Sequence, residues 1–130
     1  MLTCCEQLSE ILLPAAPRRS GASYQRFARR RHASLAVAGV AAFVRLDGEK
    51  ISEARIALTA VAPTIFVARA AGELLAGQKP AKAALAEAAR AAAEAARPIA
   101  DLRSSDVFRR DLVETLARRA LEQALARARA

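Results

Sequence analysis

Six arginines crowd one short stretch, at Arg18, Arg19, Arg26, Arg29, Arg30 and Arg31, with Tyr24, Phe27 and His32 set among them. Guanidinium groups at this density draw phosphates and other polyanions, and ring faces beside them can stack on bases. Single-strand binding calls for more stacking aromatics than Tyr24 and Phe27, and no helix-turn-helix, RRM or KH signature follows. A solvated basic edge or a protein contact is therefore favoured over a nucleic-acid arm. The formal net charge of +8 adds attraction without specificity, since an arginine- and alanine-rich composition also follows from a GC-rich genome.

Other chemistry is sparse. His32 is the one histidine, which leaves no His-rich metal site, and beside Arg31 it is read as a solvated histidine rather than a catalytic one. Cys4 and Cys5 are adjacent, a poor geometry for a disulfide, and no second pair exists to complete a zinc site. Two free thiols in a reducing cytoplasm are expected. Asp101, Asp106, Asp111, Glu114 and Glu122 lie among arginines, a pattern of caps and ion pairs rather than of a general acid–base couple. Glu114 and Arg118 stand one helical turn apart in the favourable order. The five glycines are scattered, so no Gly-rich loop is present to cradle a pyrophosphate.

The elements that would position these residues follow from periodicity. The opening EQLSEILLP (6–14), closed by Pro14, suits an edge strand, and PAAPRRSGAS (14–23) has a linker's composition. Leu35 to Asp47 is an apolar run fit for a buried strand, and Asp47-Gly48 favours a tight hairpin turn into a second strand. There Ala54, Ile56, Leu58 and Ala60 share one face, with Glu53 and Arg55 on the other. VARAAGELLAG (67–77) predicts a short helix ended by Gly77, and AKAALAEAARAAAEAAR (81–97) a second one stopped by Pro98. Ser104, Ser105 and Asp106 offer caps for a long final helix. Its apolar stripe would run through Phe108, Leu112, Leu116, Ala120, Leu121, Ala124 and Leu125.

The expected fold is α+β, a small antiparallel sheet made of a β-hairpin plus an edge strand, packed on one face by three helices. Neither a signal peptide nor a membrane-spanning run is read from the sequence, so a soluble, cytoplasmic protein is expected. The Ala-rich helix and the uncovered sheet face leave room for a homo-oligomer.

Five segments, read in order, resemble the C-terminal domain of the FAD-binding (medium) subunit of molybdenum hydroxylases, the family of carbon monoxide dehydrogenase and xanthine dehydrogenase. EQLSEILLP is similar to the family's lead-in strand, and SYQRFARRRHASLAVAGVAAFV (23–44) to its basic approach to the first strand. ISEARIALTAVAPT (51–64) resembles the second strand and its turn, and GELLAGQ (72–78) the end of a helix. PIADLRSSDVFRRDLVETLARRALEQAL (98–125) resembles an Asp-x-Arg-Ser-Ser-x-x-Tyr-Arg stretch with its closing helix.

The resemblance implies a lead-in strand and linker over 1–22 and a carbon monoxide dehydrogenase flavoprotein C-terminal-like domain over 23–130, with the N-terminal FAD-binding domain absent. It implies a part of an oxidoreductase with no complete active site of its own, which helps to cover flavin and to assemble the complex for electron transfer. The implied partners are that FAD domain, a molybdopterin large subunit and an iron–sulfur subunit. FAD would be held only with the separate domain, and the residues implied to face it are Tyr24 and Arg26. Arg26 stands where the family has lysine and Ser34 where it has aspartate. Thr59-Ala60 replaces a pair of glycines, and Phe108 a tyrosine.

Overall fold

The structure is a computed structural model that describes residues 6–30 and 35–130. At its centre is the expected hairpin: β2 (Ala36–Asp47) runs antiparallel to β3 (Lys50–Thr59), with Asp47 opposite Lys50. Gly48 turns the chain with φ 57°, a conformation open to glycine without a Cβ clash. Leu46 faces Ile51 while Arg45 faces Glu53, so Ser52 is an extra residue in the ladder. This bulge reverses the parity of the strand, and Ile51 as well as Ile56 and Leu58 reach the core.

A third long strand, β1 (Ser20–Ala28), pairs antiparallel with β2, and the two-residue β4 (Phe66–Val67) pairs with β3, giving the order β1-β2-β3-β4. Three helices follow: α1 (Arg69–Glu73), α2 (Lys82–Ala95) and α3 (Asp106–Arg129). α3 packs on β1 and β2, α1 on β3, and α2 lies against both helices. The α+β class and the one-sided helical layer are as the sequence implies. No helix among the described residues is long and apolar enough to cross a membrane.

Three expectations need correcting. Glu6–Pro14 is not the edge strand, since residues 6–17 carry no strand and Leu8, Ile11, Leu12 and Leu13 are exposed. The edge strand instead begins at Ser20, inside the stretch read as linker. Its inward positions, Gly21 and Ser23, are small because α3 passes so close: a Cβ on Gly21 would lie 2.1 Å from the Ala124 carbonyl oxygen. Phe108 is 47% exposed and leaves the stripe of α3, where Arg109 takes its place at 3% exposure, ahead of Val113, Leu116 and Ala120. The ion pair one turn apart on α3 joins Asp106 to Arg110, at 4.0 Å, rather than Glu114 to Arg118.

The helix ends otherwise follow local chemistry. The Ser105 hydroxyl accepts the Phe108 N–H at 3.2 Å and caps α3. Gly77 closes the turn after α1 with φ 77°, and its N–H donates to the Ile51 carbonyl at 2.7 Å. On α2, Leu85, Ala88, Ala89, Ala92 and Ala93 are buried, so the small face of this helix is spent within the domain. The core is a layer of Val, Ile and Leu from the sheet set against alanines, which permits close helix approach.

Candidate functional site

No helix among the described residues lies over the sheet's other face. Along β1, Gly21 and Ser23 turn toward α3, and Ala22, Tyr24 and Arg26 project the opposite way into solvent. The register places Tyr24 beside Ala41 and Ala57, and Arg26 beside Gly39 and Thr59. Tyr24 and Arg26, the two residues singled out from the sequence, therefore share one open surface. His32, Ser34, Arg31, Cys4 and Cys5 lie outside the described residues.

Gly39 explains how the tyrosine sits. A Cβ there would come within 2.7 Å of the Tyr24 hydroxyl and 2.6 Å of Thr59 Cγ2. The ring thus reaches across the strand over bare backbone, next to the row that holds Arg26, and stays 54% exposed. Among the described residues Arg26 has no carboxylate partner. Farther along the same face Arg55 stands over the Phe43 ring, 5.9 Å from its centroid, and pairs with Glu53. Between them runs a shallow groove of about 330 Å³, lined by Tyr24, Ala41, Phe43, Arg55, Ala57 and Arg127 among others.

At the sheet end nearest Arg26 lies a second cluster, which sequence reasoning assigned to caps and ion pairs without finding its centre. Arg109 Nη1 donates to the carbonyls of Ala60, at 2.8 Å, and Val37, at 3.2 Å, and Nη2 donates to Asp101 Oδ1 at 2.7 Å. Asp101 also accepts from Arg103 Nε at 2.9 Å and Nη2 at 2.7 Å, and from the N–H groups of Arg103 and Ser104. The Arg103 guanidinium first, then that of Arg109, then the Arg103 N–H hold this carboxyl well below the usual carboxylate range, with partial desolvation opposing them. A carboxylate held ionised by so many donors is no general acid near neutrality. The signal that could have revealed Arg109 is its spacing, four residues before Val113 on the buried line of α3.

Comparison with known proteins gives this arrangement a family. A family model described as CO dehydrogenase flavoprotein C-terminal domain matches residues 5–124. The chain belongs to the CO dehydrogenase flavoprotein C-terminal domain family. It is 33% identical over 125 residues to the 6-hydroxypseudooxynicotine dehydrogenase complex subunit alpha of Paenarthrobacter nicotinovorans, covering 95% of this chain and 42% of that one. It is 34% identical over 122 residues to the carbon monoxide dehydrogenase medium chain of Hydrogenophaga pseudoflava, covering 94% and 42%. Among solved structures, the Hydrogenophaga pseudoflava carbon monoxide dehydrogenase lacking the Mo-pyranopterin moiety superposes with TM-score 0.84 at 36% identity, over 88% of this chain and 40% of that one. Quinoline 2-oxidoreductase from Pseudomonas putida 86 gives 0.79 at 28% identity, over 84% and 38%. The chain thus spans about two fifths of the length of these relatives.

For a member of the flavoprotein C-terminal domain family, the residues on the open face fit one part of a flavin better than another. An exposed aromatic ring and an uncommitted cation suit the planar, electron-accepting ring system. Gly48 and Gly77, in contrast, sit in isolated turns where an added Cβ would meet no atom within 4 Å beyond its chain neighbours, and neither opens a helix as a phosphate cradle does. Ala60 bears on the departure from paired glycines at 59–60. Its φ of 63° lies in the left-handed region, where glycine is at ease and alanine is strained.

Proposed function

We propose that this chain serves as the C-terminal domain of the FAD-binding medium subunit of a molybdenum hydroxylase, covering the ring side of the flavin and helping to assemble the complex for electron transfer. The observation that carries this reading is the joint placement of Tyr24 and Arg26 on the one sheet face the helices leave open, in a chain of this family. FAD, when bound, supplies the redox chemistry that passes electrons from a molybdenum and iron–sulfur relay to an acceptor. The chain's own part is to orient and shield. Tyr24 offers a ring face that limits water, and Arg26 places a fixed positive charge where reduction would add negative charge. The flavin phosphates would be gripped by a separate FAD-binding domain, so this chain alone is not expected to hold the cofactor tightly. A molybdopterin large subunit and an iron–sulfur subunit complete the proposed assembly, which we place in the cytoplasm. On this reading the domain takes in all of β1, from Ser20 onward, and residues 6–19 are its approach.

The test is co-expression of the chain with a medium-chain FAD-binding domain and with large and iron–sulfur subunits, followed by the visible spectrum of the purified assembly. Flavin bands that fall several-fold in Arg26→Ala and Tyr24→Ala, with subunit composition unchanged, are expected. A colourless, monodisperse chain that joins no complex and ignores added FAD would instead make it a stand-alone interaction domain.

A further inference from the structure

The row Arg26–Gly39–Thr59 crosses three strands close to where each of them ends. Every member of that row is one or two residues from an atom held by the turn at 101–109. Phe27, next to Arg26, meets Phe108 edge-to-face with centroids 6.1 Å apart. The Val37 carbonyl, two residues before Gly39, and the Ala60 carbonyl, next to Thr59, both accept from Arg109 Nη1. Arg29 Nη1 adds a longer contact, 3.4 Å, to the Leu102 carbonyl. The turn is itself fixed, since Asp101 ties Arg103, Ser104 and Arg109 together and Ser105 caps the helix that carries Phe108 and Arg109.

We infer that Arg109, with Asp101 and Phe108, forms a positioning brace that sets the spacing of the three strand ends and so the placement of the Arg26–Gly39–Thr59 row. One buried guanidinium satisfies two carbonyls at the open end of the hairpin, one on β2 and one just past β3, and its charge is balanced by a carboxylate from a third segment. A planar fork can do this, whereas an ammonium on a flexible stem cannot hold the same three acceptors in one plane. The link from brace to flavin rests on the function proposed above, but the brace stands on the geometry alone.

Hydrogen exchange on the full chain tests it. In Arg109→Lys, amides at 37–39 and 58–60 are expected to exchange about tenfold faster or more, as buried hydrogen bonds open locally, with the hairpin amides at 44–51 unchanged. Phe108→Ala, a milder surface change, should loosen 26–28 alone, and Phe108→Tyr should restore protection there. A uniform rise across the sheet, or no local change in either variant, overturns the brace. In the flavin-containing assembly, Arg109→Lys should lower retained flavin as Arg26→Ala does. If exchange localises as expected while neither variant alters flavin content, the brace holds and the flavin reading fails.

Discussion

Ala60 carries a conformation its side chain resists. A φ of 63° strains an L-residue with a Cβ by roughly 1–2 kcal/mol, and the position is retained because Arg109 holds its carbonyl. Ala60→Gly should relieve that strain, partly offset by the greater freedom of glycine in the unfolded chain, for a net gain of roughly 0.5–1 kcal/mol. A raised urea midpoint at unchanged slope is the measurement. Asp101 acts through its charge. Its carboxyl releases a proton more readily folded than unfolded, so its stabilising contribution is complete above the ordinary carboxylate range and is lost as pH falls through that range toward the folded value. Asp101→Asn should therefore lower the midpoint at neutral pH, and the gap to the parent chain should close below about pH 4. The charged nature of Arg109 hid it from the sequence reading, because an arginine on a helix is ordinarily solvated, and only its three acceptors in the fold make burial tolerable.

Among the elements, the hairpin was legible and the edge strand was not, for one physical reason each. Asp47-Gly48 and period-two burial are strong local signals, and Ile56 and Leu58 are buried where that period puts them. β1 inverts the usual rule. Its covered side holds Gly21 and Ser23, and its open side Tyr24 and Arg26, so no hydrophobic alternation marks it. The code there is size, because the backbone of α3 takes the space that side chains would fill. Gly21→Ala tests this: the added methyl meets the Ala124 carbonyl oxygen and the Ala128 nitrogen, and α3 must shift. A destabilisation of about 2–3 kcal/mol is expected from chemical denaturation, larger than a surface alanine would produce. The apolar Ile11, Leu12 and Leu13 misled in the opposite direction, since hydrophobicity alone cannot supply a strand with a neighbour to pair with. At the other rim of β1, Arg127 donates to the Ala22 carbonyl and occupies part of an edge that would otherwise be free to pair.

Across the whole molecule, one face of the sheet is closed by helices, and no helix among the described residues covers the other. The chemistry read from the sequence lies on the open side, and the residues that steady it lie in the covered layer. α3 packs against β1, and the Ser23 hydroxyl donates to Gln123 Oε1 at 2.6 Å across 100 residues of chain, with Gln25 Nε2 reaching the same oxygen at 2.7 Å. During synthesis β1 leaves the ribosome long before the helix that covers it. The β2–β3 hairpin can form early from neighbours in sequence, but β1 must wait, with its unpaired rim exposed, until nearly all of α3 has emerged. Completion of the sheet is thereby tied to the emergence of α3, and a ribosome that stalls within α3 would leave an unfinished sheet open to association with others.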